Sequence, residues 1–311
     1  MNDHTPRKFT GSLLERAVDF YAYAPSPPRV AIVEPVPRVE TPVAEAAPVA
    51  EAASVAEAPA PRFVPVRRHA SVDRDTLAEK GMIQPGGAIT ILAEEFRLVK
   101  RALLSTMRDI ASDDANRART ILVGSARPND GKTFCAINLA LSLAAERDYE
   151  VLLVDADFAK PDVLATLGIA DGPGLLDALA DGSIDVESLI VETDVPHLTV
   201  LSAGARTHAD TELLASQRAR DLIAALVADS PNRIVIFDTP PALAASPASV
   251  LAGLVGQVLM VVRADKTTEG DLRGAVALLD GCEHLQLMLN AVSLDTGKDR
   301  FGSYYQEGQA E

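Results

Sequence analysis

From Thr120 onward the chain alternates short, β-rich apolar runs with longer stretches whose apolar residues recur at helical spacing. The runs are Thr120–Gly124, Val151–Asp155, Leu198–Leu201, Ile234–Asp238, Gln257–Val262 and Leu285–Asn290. Nearly continuous apolar strands imply burial on both faces, so the alternation predicts an α/β fold: a doubly wound, mostly parallel sheet covered by helices on both sides. A ligand of such a sheet sits at the carboxyl ends of its strands. Ahead of the first run, Ala93 to Ile110 places Phe96, Val99, Leu103, Leu104 and Met107 at helical spacing among charges, which predicts a long amphipathic helix packed on the core.

Outside this pattern the chain changes character. Ser12-Leu13-Leu14-Glu15 reads as a capping box opening a short amphipathic helix within residues 1–24, either a frayed terminal helix or a docking helix for another protein. Pro25 to Pro65 holds half of the chain's 20 prolines and an imperfect repeat, Val43-Ala-Glu-Ala-Ala-Pro, Val49-Ala-Glu-Ala-Ala-Ser, Val55-Ala-Glu-Ala-Pro-Ala. Prolines at this density block helix and sheet, so residues 25–70 are expected to be a disordered linker, with order resuming near Val72 and the folded domain spanning 71–292. Residues 293–311 are expected to be a flexible tail.

Composition narrows the functional classes. With 311 residues, 48% of them hydrophobic, one sizeable core and an appendage are affordable. A net charge of −15 repels phosphate backbones and disfavours bulk nucleic-acid binding. Cys135 and Cys282 show neither disulfide nor zinc spacing, which fits a reducing cytoplasm. The longest apolar run, near Val250–Val262, is too short to cross a bilayer, and the first residues lack the apolar core of a secretory signal.

The strongest chemical signal is Gly124-Ser-Ala-Arg-Pro-Asn-Asp-Gly131-Lys132-Thr133, set between a strand and the helical stretch Phe134–Glu146. Such a loop can wrap backbone N–H groups around a polyphosphate at the positive end of the next helix. Lys132 would then reach the β- and γ-phosphates of ATP and the Thr133 hydroxyl would ligate Mg²⁺, although the usual first glycine of GxxxxGK[ST] is Ala126. A second signal is Val151-Leu-Leu-Val-Asp155-Ala-Asp157, where two carboxylates lie on one side of an extended strand end. Beside a phosphate loop they can hold Mg²⁺ waters or take a proton from an attacking hydroxyl; the bland alternative is a pair of capping aspartates. Ile234-Val-Ile-Phe-Asp238 repeats the design with a single acid near the metal.

These residues resemble those of a known family. Ala126-x-Pro128-x-Asp130-Gly131-Lys132-Thr133, Asn138-Leu-Ala, Val151–Asp157 with Lys160-Pro161, and Phe237-Asp238-Thr-Pro-Pro241 look like the Walker A, Walker A′ and Walker B motifs of the bacterial tyrosine autokinases, relatives of the MinD and ParA ATPases. Gly174-Leu-Leu-Asp177, Leu201-Ser-Ala-Gly204, Glu212–Ser216 and Val261-Val-Arg-Ala-Asp-Lys-Thr-Thr268 extend the similarity. Ala93–Leu104, preceded by Val72–Gly81, looks most like the branch found beside exosortase and exopolysaccharide loci. The similarity runs from about Val72 to Tyr305.

The resemblance implies an ATP-dependent protein-tyrosine autokinase of exopolysaccharide biosynthesis or export. The nucleotide would be held by Ala126, Pro128, Asn129, Asp130, Gly131, Lys132, Thr133 and Phe134, with Asn290 either reading adenine or merely capping its strand. Lys132, Asp155, Asp157 and Asp238 would form the catalytic set, Asp155 the base unless Asp157 takes that role. Thr133, Asp155, Asp157 and Asp238 would serve the metal, and Tyr304 and Tyr305 would accept phosphate between subunits. Glu94, Arg97 and Lys100 correspond to the family's ring-forming Glu-x-x-Arg-x-x-Arg, with the last arginine replaced and Arg101 adjacent; an ordinary core helix with a solvated charged face is the alternative. Implied partners are further copies of the chain, a separate membrane chain-length-determining activator and a tyrosine phosphatase, which would place the chain in the cytoplasm at the inner membrane. Two departures favour a second reading, an ATP-gated scaffold without tyrosine transfer. The tail offers only two tyrosines, and Arg127 stands where MinD and ParA relatives carry a lysine that enters the partner's phosphate site. An exposed arginine without a role is the plainer view of Arg127.

Overall fold

The computed structural model describes residues 67–228 and 230–292. The expected N-terminal helix, the linker up to residue 66, and the tail with Tyr304 and Tyr305 lie outside the described residues. Among those described, eight strands form one sheet: β1 Arg68–Ala70, β2 Thr120–Ser125, β3 Glu150–Asp155, β4 Val191–Thr193, β5 Leu198–Leu201, β6 Arg233–Asp238, β7 Gln257–Arg263 and β8 Leu285–Asn290. Their order is β1-β4-β5-β3-β6-β2-β7-β8. All neighbours pair in parallel except β4 with β5, so the doubly wound sheet is present with a short reversed margin.

That margin corrects the domain boundary. Strand β1 lies inside the stretch expected to be linker to residue 70. Arg68-His-Ala carries no apolar signature of its own, and it is a strand because Arg68, His69 and Ala70 align with Val191, Glu192 and Thr193. Arg67 reinforces the contact by pairing with Glu187, which also pairs with Arg233.

The helices are α1 Arg74–Glu79, α2 Ile91–Ile110, α3 Lys132–Ala144, α4 Val163–Thr166, α5 Leu175–Ala180, α6 Asp210–Ala215, α7 Gln217–Ala228, α8 Pro247–Ala252 and α9 Glu269–Leu278. Helix α2 starts where the Thr90 side chain accepts from the Ala93 N–H, and it buries Phe96, Lys100, Leu103, Met107 and Ile110. That 4-3-4-3 spacing keeps one stripe against the sheet. Strand alternation sorts the core into two layers. Ile121, Val123, Leu153, Ile236 and Val261 face α2 and α3, while Leu122, Leu152, Phe237, Val258 and Met260 face α5 to α9.

The strand order matters for chemistry because β2 lies between β6 and β7. The loop that leaves β2 therefore emerges between the carboxyl ends of two strands. Register sets Asp155 beside Asp238 and Asp238 beside Val123, which gathers the acids at the loop's foot. Among the described residues no helix is long and apolar enough to cross a membrane.

Candidate nucleotide-binding site

The loop from Ala126 to Gly131 is shaped by its own side chains and by its neighbours. The Asp130 carboxylate accepts from the Arg127 N–H at 2.9 Å, and the Ser125 hydroxyl donates to the Arg127 carbonyl at 3.0 Å. Asn129 and Gly131 adopt φ of 65° and 95°. Gly131 suits left-handed backbone that disfavours a side chain, and an added Cβ would lie 2.1 Å from Asn290 Nδ2 and displace that amide. Ala126, in place of the usual glycine, is buried in the core layer under α5 to α9, so its methyl group fills space.

Helix α3 begins at Lys132 directly after Gly131, which points its N-terminal amides at the loop. A cavity of about 510 Å³ opens there, lined by Pro128, Asn129, Gly131, Lys132, Thr133 and Phe134 from the loop and helix, Asp157 and Lys160 from the loop after β3, and Pro240 and Pro241 from the segment after β6. Sequence reasoning assigned no role to the Pro240-Pro241 wall, although Asp238-Thr-Pro-Pro marked the motif. The segment is held by the Thr239 hydroxyl donating to the Val123 carbonyl at 3.0 Å and by the Ala242 N–H donating to the Ser125 carbonyl at 2.8 Å.

The three acids occupy distinct settings. Asp157 lines the cavity and pairs with Lys132, Oδ2 to Nζ at 2.8 Å. Asp155 is 1% exposed, and its oxygens accept from the Asp157, Asp162 and Val163 N–H groups at 3.2, 3.0 and 3.0 Å. Burial pushes its carboxyl up to about 6, and those backbone amides hold the rise in check. Asp238 is fully buried with both carboxylate oxygens lacking a hydrogen-bond partner. Burial pushes it up to about 7 against the nearby Lys132 charge; the Thr133 hydroxyl lies close enough to ease the shift without closing a hydrogen bond of ordinary geometry.

A buried carboxylate with two bare oxygens beneath a phosphate loop fits a cation or its waters. Among the described residues no group of three or more His, Cys, Asp or Glu side chains is arranged to hold a metal by itself. Mg²⁺ takes one or two protein oxygens and completes its shell with phosphates and water. Asp238 and Thr133 suit this role. Asp155 is held by backbone amides and Asp157 by Lys132, so the structure does not bring all four expected metal residues to bear alike.

The charged residues of α2 and of the loop take partners within the chain. Lys100 is 6% exposed; its ammonium donates to the Ser142 carbonyl at 2.9 Å and pairs with Glu146 at 2.6 Å. It is held inside the domain at the carboxyl end of α3, where a cation is favoured, as in an ordinary core helix. Glu94 and Arg97 are half-buried and pair with each other, while Arg101 is exposed. Arg127 is exposed, yet its guanidinium pairs with Asp271 at 2.8 Å. Asp271 also closes the Thr268 capping box of α9, so Arg127 ties the loop to that helix. Asn290 Nδ2 donates to the Asp130 carbonyl at 2.9 Å.

A phosphate loop leaving the central parallel strand β2, with acids at the end of its neighbour β6 and of the next strand β3, defines a P-loop nucleotide-binding protein. A family model described as an AAA domain matches residues 118–291. The chain belongs to this AAA-domain family, within its bacterial tyrosine-kinase branch. It is 34% identical over 204 residues to EpsB of Ralstonia nicotianae, an alignment covering 65% of this chain and 26% of that protein. It is 31% identical over 191 residues to tyrosine-protein kinase YwqD of Bacillus subtilis, covering 61% and 76%. The BceF tyrosine kinase domain superimposes with a TM-score of 0.53 at 30% identity, covering 63% of this chain and 76% of that one. The chimerical protein CapA2B2 gives 0.58 at 25%, covering 74% and 95%. The chain spans about a quarter of the length of the Ralstonia proteins it matches.

Proposed function

We propose that the chain is an ATP- and Mg²⁺-dependent protein-tyrosine autokinase acting in exopolysaccharide synthesis or export. The observation that carries the reading is Asp238, whose two buried oxygens await a partner beneath a loop that ends in Gly131-Lys132-Thr133. The loop amides and Lys132 would hold the β- and γ-phosphates, with Asn290 and Phe134 beside the base. When bound, Mg²⁺ at Thr133 and Asp238 would offset charge on the transferring phosphoryl group. The tyrosine oxygen attacks the γ-phosphorus, ADP leaves, and the hydroxyl proton passes to a carboxylate. Asp157 lines the cavity and suits that base better than Asp155, whose oxygens are engaged by backbone. Asp155 would then keep the 155–163 loop in shape.

The acceptors are Tyr304 and Tyr305 of a neighbouring copy. A subunit contact is supported by the open side of the molecule, where edge strand β8 exposes Leu287 and Leu289 and α2 exposes Leu98. A membrane-bound chain-length-determining activator and a tyrosine phosphatase complete the proposed setting, with the chain in the cytoplasm at the inner membrane. The scaffold reading loses weight because Arg127 pairs with Asp271 of its own chain. Incubation with Mg²⁺ and labelled ATP, with phosphotyrosine mapped by mass spectrometry, tests the proposal; bound and hydrolysed ATP without phosphotyrosine, in the presence of the activator's cytoplasmic tail, would favour the scaffold.

A further inference from the structure

The stretch Val261–Thr268 closes β7 and leads into α9, and no step of the proposed reaction uses it. Its Arg263 is the register partner of Asn290 at the ends of the last two strands, and the Ala264 N–H donates to the Asn290 carbonyl at 2.9 Å. Both side chains turn to the phosphate loop. Arg263 Nη1 donates to the Asn129 carbonyl at 2.6 Å, and Asn290 Nδ2 to the Asp130 carbonyl at 2.9 Å. Two successive loop carbonyls are therefore held from outside.

Peptide geometry converts this hold into a binding property. Among the described residues there is no cis peptide, and in a trans peptide the carbonyl and the following N–H point in opposite directions. Anchoring the carbonyls of Asn129 and Asp130 aims the N–H groups of Asp130 and Gly131 the other way, away from β7 and β8. Asn129 and Gly131 line the cavity on that side. The left-handed turn at Asn129 carries the cost of a side chain in that region, which outside support offsets, whereas Gly131 adopts its own positive φ without strain.

We propose that Arg263, with Asn290 beside it, is a positioning residue for anion binding, holding loop carbonyls outward so that loop amides meet the nucleotide's phosphates. The inference rests on the nucleotide reading above. Arg263 itself touches no phosphate in this scheme. A lysine at 263 keeps a charged donor for one carbonyl, whereas methionine keeps only the stem.

The test titrates ADP, with adenosine as a phosphate-free competitor, against the full chain and its Arg263→Met and Arg263→Lys variants. Losing a hydrogen bond to a charged donor corresponds to about a tenfold change, so Arg263→Met should weaken ADP about tenfold and leave adenosine unchanged. Arg263→Lys should recover most of the loss. Unchanged ADP affinity in Arg263→Met, or an equal loss for adenosine and ADP, overturns the inference. Should that variant not fold, amide exchange in the wild type decides: ADP should slow the Asp130 and Gly131 amides, and unaltered rates overturn it. A wild-type chain that binds no ADP would overturn the nucleotide reading and the inference together.

Discussion

Lys132 and Asp157 form an ion pair at the cavity wall, Nζ to Oδ2 at 2.8 Å, with side chains 13% and 6% exposed. The lysine expected to grip phosphates is thus held by the acid expected to serve the reaction, and nucleotide binding has to exchange one partner for the other. Lys132→Met removes the point charge and should abolish nucleotide binding, while Asp157→Asn removes the competing carboxylate. The latter should tighten ADP a few-fold, on the order of 1 kcal/mol, and reduce phosphoryl transfer severely. Titration and turnover on the same samples check both, and an Asp157→Asn chain with weaker ADP binding would count against the exchange.

Asp238 makes stability depend on pH with a definite sign. Its carboxyl is raised from an ordinary 3.8 to about 7, and Asp155 shifts the same way to about 6. Between these values the folded chain holds protons that the unfolded chain releases. The associated stability is complete below about pH 4 and is lost as pH rises through 7. Asp238→Asn leaves a neutral group there, so melting curves from pH 4 to 8 should show a flatter decline than wild type. Parallel declines in the two proteins would show that Asp238 ionises freely.

Helix α2 separates structural from associative charge. Lys100→Ala strips a buried stem and its pairing with Glu146, whose 43% exposure tempers the electrostatic part. The expected cost is about 1–3 kcal/mol, several degrees in Tm. Arg97→Ala should leave the Tm within a degree or two and reduce self-association seen by analytical ultracentrifugation. Equal destabilisation by both would return α2 to a purely structural role.

The proposed transfer between subunits is compatible with the reach of the chain. The fourteen residues from Asn290 to Tyr304 extend to at most about 46 Å at roughly 3.3 Å each, enough to enter a neighbour's site. A Lys132→Met chain with intact tyrosines should become phosphorylated when mixed with a chain carrying Tyr304→Phe and Tyr305→Phe, although neither labels itself alone. No label in the mixture, with the wild type active, would count against transfer in trans.

Local sequence carried the parts of this protein whose physics is local. An apolar run followed by Asp155-Ala-Asp157, or by Asp238, states a buried strand and its acidic end within a few residues, because strand burial and side alternation need no distant information. Gly131-Lys132-Thr133 between strand and helix likewise announced the phosphate loop. What the sequence could not announce were the partners chosen across the fold. Arg68–Ala70 became a strand only by meeting Val191–Thr193, Lys100 was drawn inward by the end of α3, and Arg127 found Asp271 on α9. Arg263 reached Asn129 from 134 positions away. The sequence by itself determined the doubly wound class, the loop and the acids. Only the tertiary structure decided which charges face a ligand and which hold the scaffold, because hydrogen bonds and ion pairs depend on distances that burial and strand order set across the whole chain.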